Sequence, residues 1–129
     1  MDNKKRLEES KLFTPYKLGS VTLRNRVIRS AAFESMGKDF GPTQKLKDYH
    51  VSVARGGVGM TTVAYASINR SGISFNKQLW LRDEIVPALR DLTDAVHAEG
   101  AAVGIQLGHC GNMTHWSTAG SFPVSASNG

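Results

Sequence analysis

Cys110 is the single cysteine of the sequence, so no intramolecular disulfide can form and the cysteine-stapled frameworks of small secreted domains are excluded. No apolar run approaches the length of a membrane span. The opening residues, Met1-Asp2-Asn3-Lys4-Lys5-Arg6, lead into no apolar segment of the kind a secretory signal requires. These absences predict a cytoplasmic protein that does not touch a membrane. Metal-ligand spacing is lacking as well: His50 and His115 have no ligand-type residues at useful intervals, so no metal site is expected. The phosphate-cradling pattern G-x-G-x-x-G is missing from the first strand-to-helix turn, which reads Ala31-Ala32-Phe33-Glu34-Ser35-Met36-Gly37. That weighs against a dinucleotide-binding Rossmann unit.

The formal charge is +5, and its placement matters more than its size. Residues 1–29 hold eight Lys or Arg against three acids, while the remaining 100 residues hold eight of each. A nucleic-acid binder is expected to carry its basic face on the folded body. Here the excess sits in a charged N-terminal stretch, 1–11, read as flexible, and in one turn, so no nucleic-acid partner is expected. The alternative for Arg24, Arg26 and Arg29 is that one of them meets an anionic group.

What the sequence does contain is glycine, 13 of 129 residues, and an ordinary hydrophobic share of 40%. Leu12 to Leu23 has strand-spaced apolar residues about Gly19-Ser20, which predicts a β-hairpin. Val27 to Ala32 predicts a first strand, inside which Arg29 needs a partner or must point out at one end. Thr43 is placed to cap a helix running through Arg55, with Leu46, Tyr49, Val53 and Ala54 on one stripe and Gly56 at its end. Val58 to Ala64 predicts a second strand. The connection from Ser67 to Arg82 shows little periodicity and is long enough to be functional. A second helix follows, capped by Asp83, with Pro87 in its first turn, Val86, Leu89, Leu92, Thr93 and Val96 on its buried stripe, and Gly100 closing it. Ala102 to Leu107 predicts a third strand, and Asn112 to Gly129 has no regular pattern. Alternating strands and helices imply parallel pairing with right-handed crossovers. Either a doubly wound sheet or part of a (βα)8 barrel satisfies that order. In a barrel, ligands sit at the carboxyl ends of the strands, which makes Ser30 to Phe33 a floor for a flat cofactor.

Several stretches resemble the old yellow enzyme, or NADH:flavin oxidoreductase, family of FMN-dependent ene-reductases on a TIM barrel. They are Leu12-Phe13-Thr14-Pro15 with Leu18-Gly19, Leu23-Arg24-Asn25-Arg26-Val27, Arg55-Gly56-Gly57-Val58-Gly59, Leu92-Thr93-Asp94-Ala95-Val96-His97 with Gly100, and Ile105-Gln106-Leu107-Gly108-His109-Cys110-Gly111. They run from about Leu12 to Ala126. The resemblance implies an α/β fold, the N-terminal part of a TIM (βα)8 barrel: a hairpin, then about three βα units, without closure. It implies that Ser30, Ala31, Ala32 and Phe33 line one side of an FMN ring and that Ala64 and Tyr65 approach it, with the register there open by one residue. Gln106 is implied to hydrogen-bond the ring's pyrimidine edge, a role that suits a carboxamide because it both donates and accepts. His109 either caps its loop or lines the active-site mouth, and Cys110 reads as a small buried residue.

The resemblance also implies NAD(P)H as a transient reductant and a small-molecule acceptor, an activated alkene or a related compound. Phe33 stands where well-known members carry Cys or Thr, which predicts an altered flavin potential. The family's substrate-binding His pair, its proton-donating Tyr and its phosphate anchor come on later strands. Residues 12–129 are therefore expected to form a partial FMN-binding barrel domain that ends after strand 3, contains no catalytic residue and is inactive alone. A complementing chain or a homo-oligomer would cover its open side. The alternative is a non-catalytic βαβαβ interaction module or a subunit of a split barrel.

Overall fold

The computed structural model describes residue 6 and residues 10–126. Most of the charged N-terminal stretch, 1–11, lies outside the described residues. The fold starts with a hairpin, β1 (Tyr16–Leu18) and β2 (Val21–Leu23), paired antiparallel with Leu18 opposite Val21. Gly19 takes the left-handed conformation at the turn, φ 59°. Leu12 and Phe13 do not join the hairpin as expected. They form a 3-10 turn capped by the Ser10 side chain, and Pro15, which has no N–H to give a ladder, separates that turn from β1.

The main sheet is parallel. Its centre is β4 (Met60–Ser67), which pairs along its length with β6 (Ala102–Gly108) on one edge. The other edge is shared by β3 (Ile28–Arg29), opposite Met60 and Thr61, and β5 (Leu79–Trp80), opposite Ala66 and Ser67. The sheet does not close into a barrel among the described residues. The first strand is shorter than the expected Val27–Ala32, because main-chain pairing with β4 stops at Arg29. The second strand begins later than expected and runs three residues further, because β5 and β6 both give it partners as far as Ser67. Val63 and Ala66 are both buried in the core although three residues apart; a register shift between them supplies the extra residue that strand alternation requires.

Helix α1 (Gln44–Arg55) is capped as expected: Thr43 Oγ1 accepts the Leu46 N–H at 3.2 Å and donates to the Met36 carbonyl at 2.6 Å. Its buried face is Leu46, His50 and Ala54, with Tyr49 and Val53 only half-buried, so the stripe is turned by one residue from the expected one. The left-handed residue that ends it is Gly57, φ 100°, whereas Gly56 stays helical at −65°. Helix α2 (Val86–Ala98) follows a 3-10 turn at Asp83–Ile85. Asp83 makes no cap; the turn continues straight into the helix, and Val86 is exposed instead of buried. Leu92 and Val96 do pack inward, and Gly100 ends the helix at φ 76°. The expected structureless stretches both hold elements: Arg70–Gly72 and β5 before α2, and a 3-10 turn at Gly111–Met113 and a one-turn helix α3 (Trp116–Ala119) after β6. Leu46 and Ala54 from α1, Leu92 and Val96 from α2, and Val63 and Ala66 from β4 form one core between the helices and the sheet.

Candidate functional site

The parallel strands direct their carboxyl ends to one side, and the residues brought there form the site. Its foundation lies at the opposite end. Arg24, in the turn before β3, donates to the carbonyls of Val58 (3.0 Å), Glu99 (2.8 Å) and Ala54. Ala54 O and Glu99 O lie at the C-terminal ends of the two long helices, where the dipole is negative, and Val58 O lies in the segment that follows α1. Asn25 Nδ2 donates to Gly57 O at 2.6 Å, and its Oδ1 accepts the Val27 N–H at 3.1 Å. Gly59 packs so closely that a Cβ there would stand 2.4 Å from the Asn25 carbonyl oxygen. Arg26 lies over the Tyr16 ring at 5.0 Å. The basic turn thus finds its partners inside the molecule.

Arg29 has the partner that its place in a strand demands. Its Nη1 is 2.8 Å from Glu34 Oε1 and also donates to Thr62 O, while Nη2 donates to Ala32 O at 2.9 Å. The Glu34 side chain is 2% exposed and accepts the Ala64 N–H at 3.1 Å. His50, fully buried, has Nδ1 2.8 Å from Thr61 Oγ1 and Nε2 3.2 Å from Glu34 Oε1. The second contact is at ion-pair distance but outside hydrogen-bonding direction, and His50 Nε2 has no hydrogen-bond partner among the described residues.

This network holds the expected site residues. Ser30 and Ala32 are exposed and Ala31 is half-buried. The Phe33 ring stacks on Phe75 (centroids 5.2 Å apart, planes at 22°) and tilts against Tyr65 at 5.5 Å. Phe75 is held there by Gln78, which is fully buried and whose Oε1 accepts the N–H groups of Ser74 (2.8 Å) and Phe75 (3.3 Å). Tyr65 and Gln106 share an open groove of about 300 Å³ with Ser74, Leu107, His109 and Cys110. Ala64 is buried and its N–H is engaged by Glu34, so it has no backbone donor left for a ligand. The structure therefore joins Phe33 to Tyr65 and Tyr65 to Gln106, and it sets Ala64 behind them. Of the two roles left open for His109, the structure shows the loop cap. Its Nδ1 accepts the Gly111 N–H at 3.0 Å, which caps its loop, and its ring lines the groove. Cys110 is half-buried on the groove wall, where a buried residue was expected, because it lies beyond the end of β6 at Gly108.

Glu34, Thr61 and Gln78 were not singled out in the sequence, and His50 was weighed only as a metal ligand. The one available signal was Arg29, a charge inside a strand that required a partner; its partner is an acid five residues on, which periodicity does not separate from a surface residue.

The Gln106 carboxamide is exposed and makes no hydrogen bond among the described residues, so it offers a donor and an acceptor side by side at the groove. Together with the aromatic wall of Phe33 and Tyr65, that fits a flat heteroaromatic ring whose edge alternates acceptor and donor. Among the described residues no group of His, Cys, Asp and Glu could hold a metal ion, and no helix is long and apolar enough to cross a membrane.

The chain is 44% identical over 100 residues to the 4,4'-dithiodibutanoate disulfide reductase of Rhodococcus erythropolis, covering 78% of this chain and 25% of that protein. It is 41% identical over 106 residues to the NADPH dehydrogenase of Listeria welshimeri, covering 79% and 31%. The structure superposes on an old yellow enzyme homologue from Zymomonas mobilis with a TM-score of 0.84 at 26% identity, covering 93% of this chain and 34% of that one. The chain thus spans a quarter to about a third of the length of these proteins, and its parallel sheet matches part of a TIM barrel. The model of the NADH:flavin oxidoreductase / NADH oxidase family matches residues 11–127, and the chain belongs to that family.

Proposed function

We propose that this chain forms one wall and the pyrimidine-edge contact of an FMN site in an NAD(P)H-dependent oxidoreductase of the old yellow enzyme type. The observation that carries the reading is Gln106: a carboxamide with free donor and acceptor, in a groove beside the Phe33–Tyr65 aromatic wall. Gln106 would fix the in-plane orientation of the ring. Phe33 and Tyr65 would cover part of its face and exclude water. The backbone of Ser30 to Ala32 would supply further polar contacts beside the ring. When bound, FMN would supply hydride transfer, from NAD(P)H and on to an activated alkene or related acceptor. The protein's share in such chemistry is to hold and orient the ring.

This chain by itself is proposed to bind flavin without turning substrate over. A second copy or a complementing polypeptide would cover the open side of the sheet, where Val63, Leu89, Leu92, Val103 and Ile105 line an apolar groove of about 190 Å³. A cytoplasmic location goes with this reading.

Titration of FMN and of riboflavin, followed by flavin fluorescence, tests it. The chain should quench both ligands with similar affinity, because the proposed contacts are all to the ring. Gln106→Ala should weaken both about tenfold, equivalent to the loss of roughly one net hydrogen bond. Absence of quenching by the wild-type chain would leave the non-catalytic interaction module as the better description.

A further inference from the structure

We infer that Glu34, together with Arg29, is a positioning residue that sets the distance between the cofactor wall and the sheet; this rests on the flavin reading above. One edge of β4 is covered in two places. β3 covers that edge at Met60 and Thr61, and β5 covers it at Ala66 and Ser67. Between them lies a gap at residues 62–65 where no strand pairs. A buried main-chain polar group without a partner is costly, so something must fill the gap. Two side chains do. Arg29 Nη1 donates to Thr62 O, and the Glu34 carboxylate accepts the Ala64 N–H.

The consequence falls on the residues between the two. Because side chains replace main-chain pairing, Ser30 to Phe33 are released from the sheet while both of their ends stay fixed to it. Arg29 Nη2 ties the Ala32 carbonyl back at 2.9 Å. The same carboxylate therefore fixes the start of the Ala64–Tyr65 segment and the far end of the Ser30–Phe33 segment, and the Phe33 and Tyr65 rings meet in front of it. From behind, α1 makes the pair rigid. The Arg29 guanidinium lies 5.1 Å from the Tyr49 ring, its Nε donates to Tyr49 Oη at 3.3 Å, and His50 stands against Glu34. Glu34 is placed to position the wall and has no route to a ligand itself, since its side chain is 2% exposed.

A purely structural role for the pair makes a different prediction. Removing one partner of a buried ion pair strands the other charge, whereas replacing both with apolar residues of similar volume is often tolerated. The test is therefore the double variant Arg29→Met/Glu34→Met beside Glu34→Gln, in the full chain. Backbone amide exchange and flavin titration would be read alongside thermal unfolding. In the wild type the Ala64 amide should exchange as slowly as the core amides of β4. The double variant should unfold cooperatively and keep its core protection, yet exchange Ala64 at least tenfold faster and bind riboflavin at least tenfold more weakly. Glu34→Gln, which keeps an acceptor for Ala64, should retain most of the Ala64 protection. The inference is overturned if Ala64 exchanges freely in the wild type. It is equally overturned if its protection survives in a folded double variant or, should that variant not fold, if Glu34→Gln loses core and Ala64 protection in equal measure. If the wild type binds no flavin, the proposed function fails, while the Ala64 exchange still decides the role of Glu34.

Discussion

The Arg24 guanidinium and the Glu99 carbonyl meet at 2.8 Å across 75 residues of sequence. With its bonds to Ala54 and Val58, Arg24 joins the ends of both long helices to the turn before β3. A charge that resembles a nucleic-acid contact in a list of basic residues is a structural fastener in the fold. It closes the end of the sheet opposite the site, so that β3, β4 and β6 leave the turn with a fixed register.

Arg24→Met keeps the length of the side chain and removes all three donors. Charge-assisted hydrogen bonds to main-chain carbonyls contribute on the order of 1–3 kcal/mol each before exposure reduces them. We expect the variant to lose about 2–3 kcal/mol of stability in urea unfolding, with flavin-ring contacts unchanged in the folded fraction. A loss under about 0.5 kcal/mol would show the three contacts to be incidental.

The pattern of strands and helices could be read in the sequence because it rests on local rules. Thr43, the strand at β6 and the left-handed Gly100 follow capping, strand and backbone preferences that neighbours do not override. The limits of β3 and β4 could not be read this way. They depend on which segment occupies each stretch of β4's edge, and that is settled by Arg29 and Glu34 acting through space. The turned stripe of α1 has the same origin: His50 is buried because Thr61 and Glu34 meet it there, and a polar residue on a helix otherwise counts as solvent-facing. At the candidate site, Phe33 follows from its place at a strand end and Gln106 from resemblance, whereas Gln78, which folds the loop that brings Phe75 to Phe33, has no sequence signature of its own.

Phe33→Thr tests the wall from its surface. The substitution removes ring contacts to Phe75 and Tyr65. Aromatic pairs contribute about 0.5–1.5 kcal/mol beyond area, so stability should fall by roughly 1–2 kcal/mol. It also places a hydroxyl donor beside the flavin, and the potential of bound flavin, read by dye equilibration, should shift. An unchanged potential would mean that Phe33 does not touch the ring.

The groove between β6 and α2 predicts association. Its apolar lining, together with Ile28 at 45% and Leu107 at 55% exposure, leaves apolar surface and a strand edge that a second molecule can cover. Sedimentation should show a mass that rises with concentration. Leu89→Lys, at the lip of the groove and away from the strand ends, should shift the distribution toward monomer, since a lysine can keep its stem on the surface and its ammonium in water. A wild-type chain that stays monomeric throughout would contradict a partner-covered face.

The central claim is that the strand ends of this chain form one wall and the edge contact of a flavin site. It is tested most directly by backbone NMR of the labelled chain titrated with FMN to millimolar concentration. The account predicts saturable shifts at Ala31, Ala32, Phe33, Tyr65 and Gln106, with the Arg24–Asn25 turn unmoved. Shifts that cluster away from the strand ends, or none at all, would contradict it.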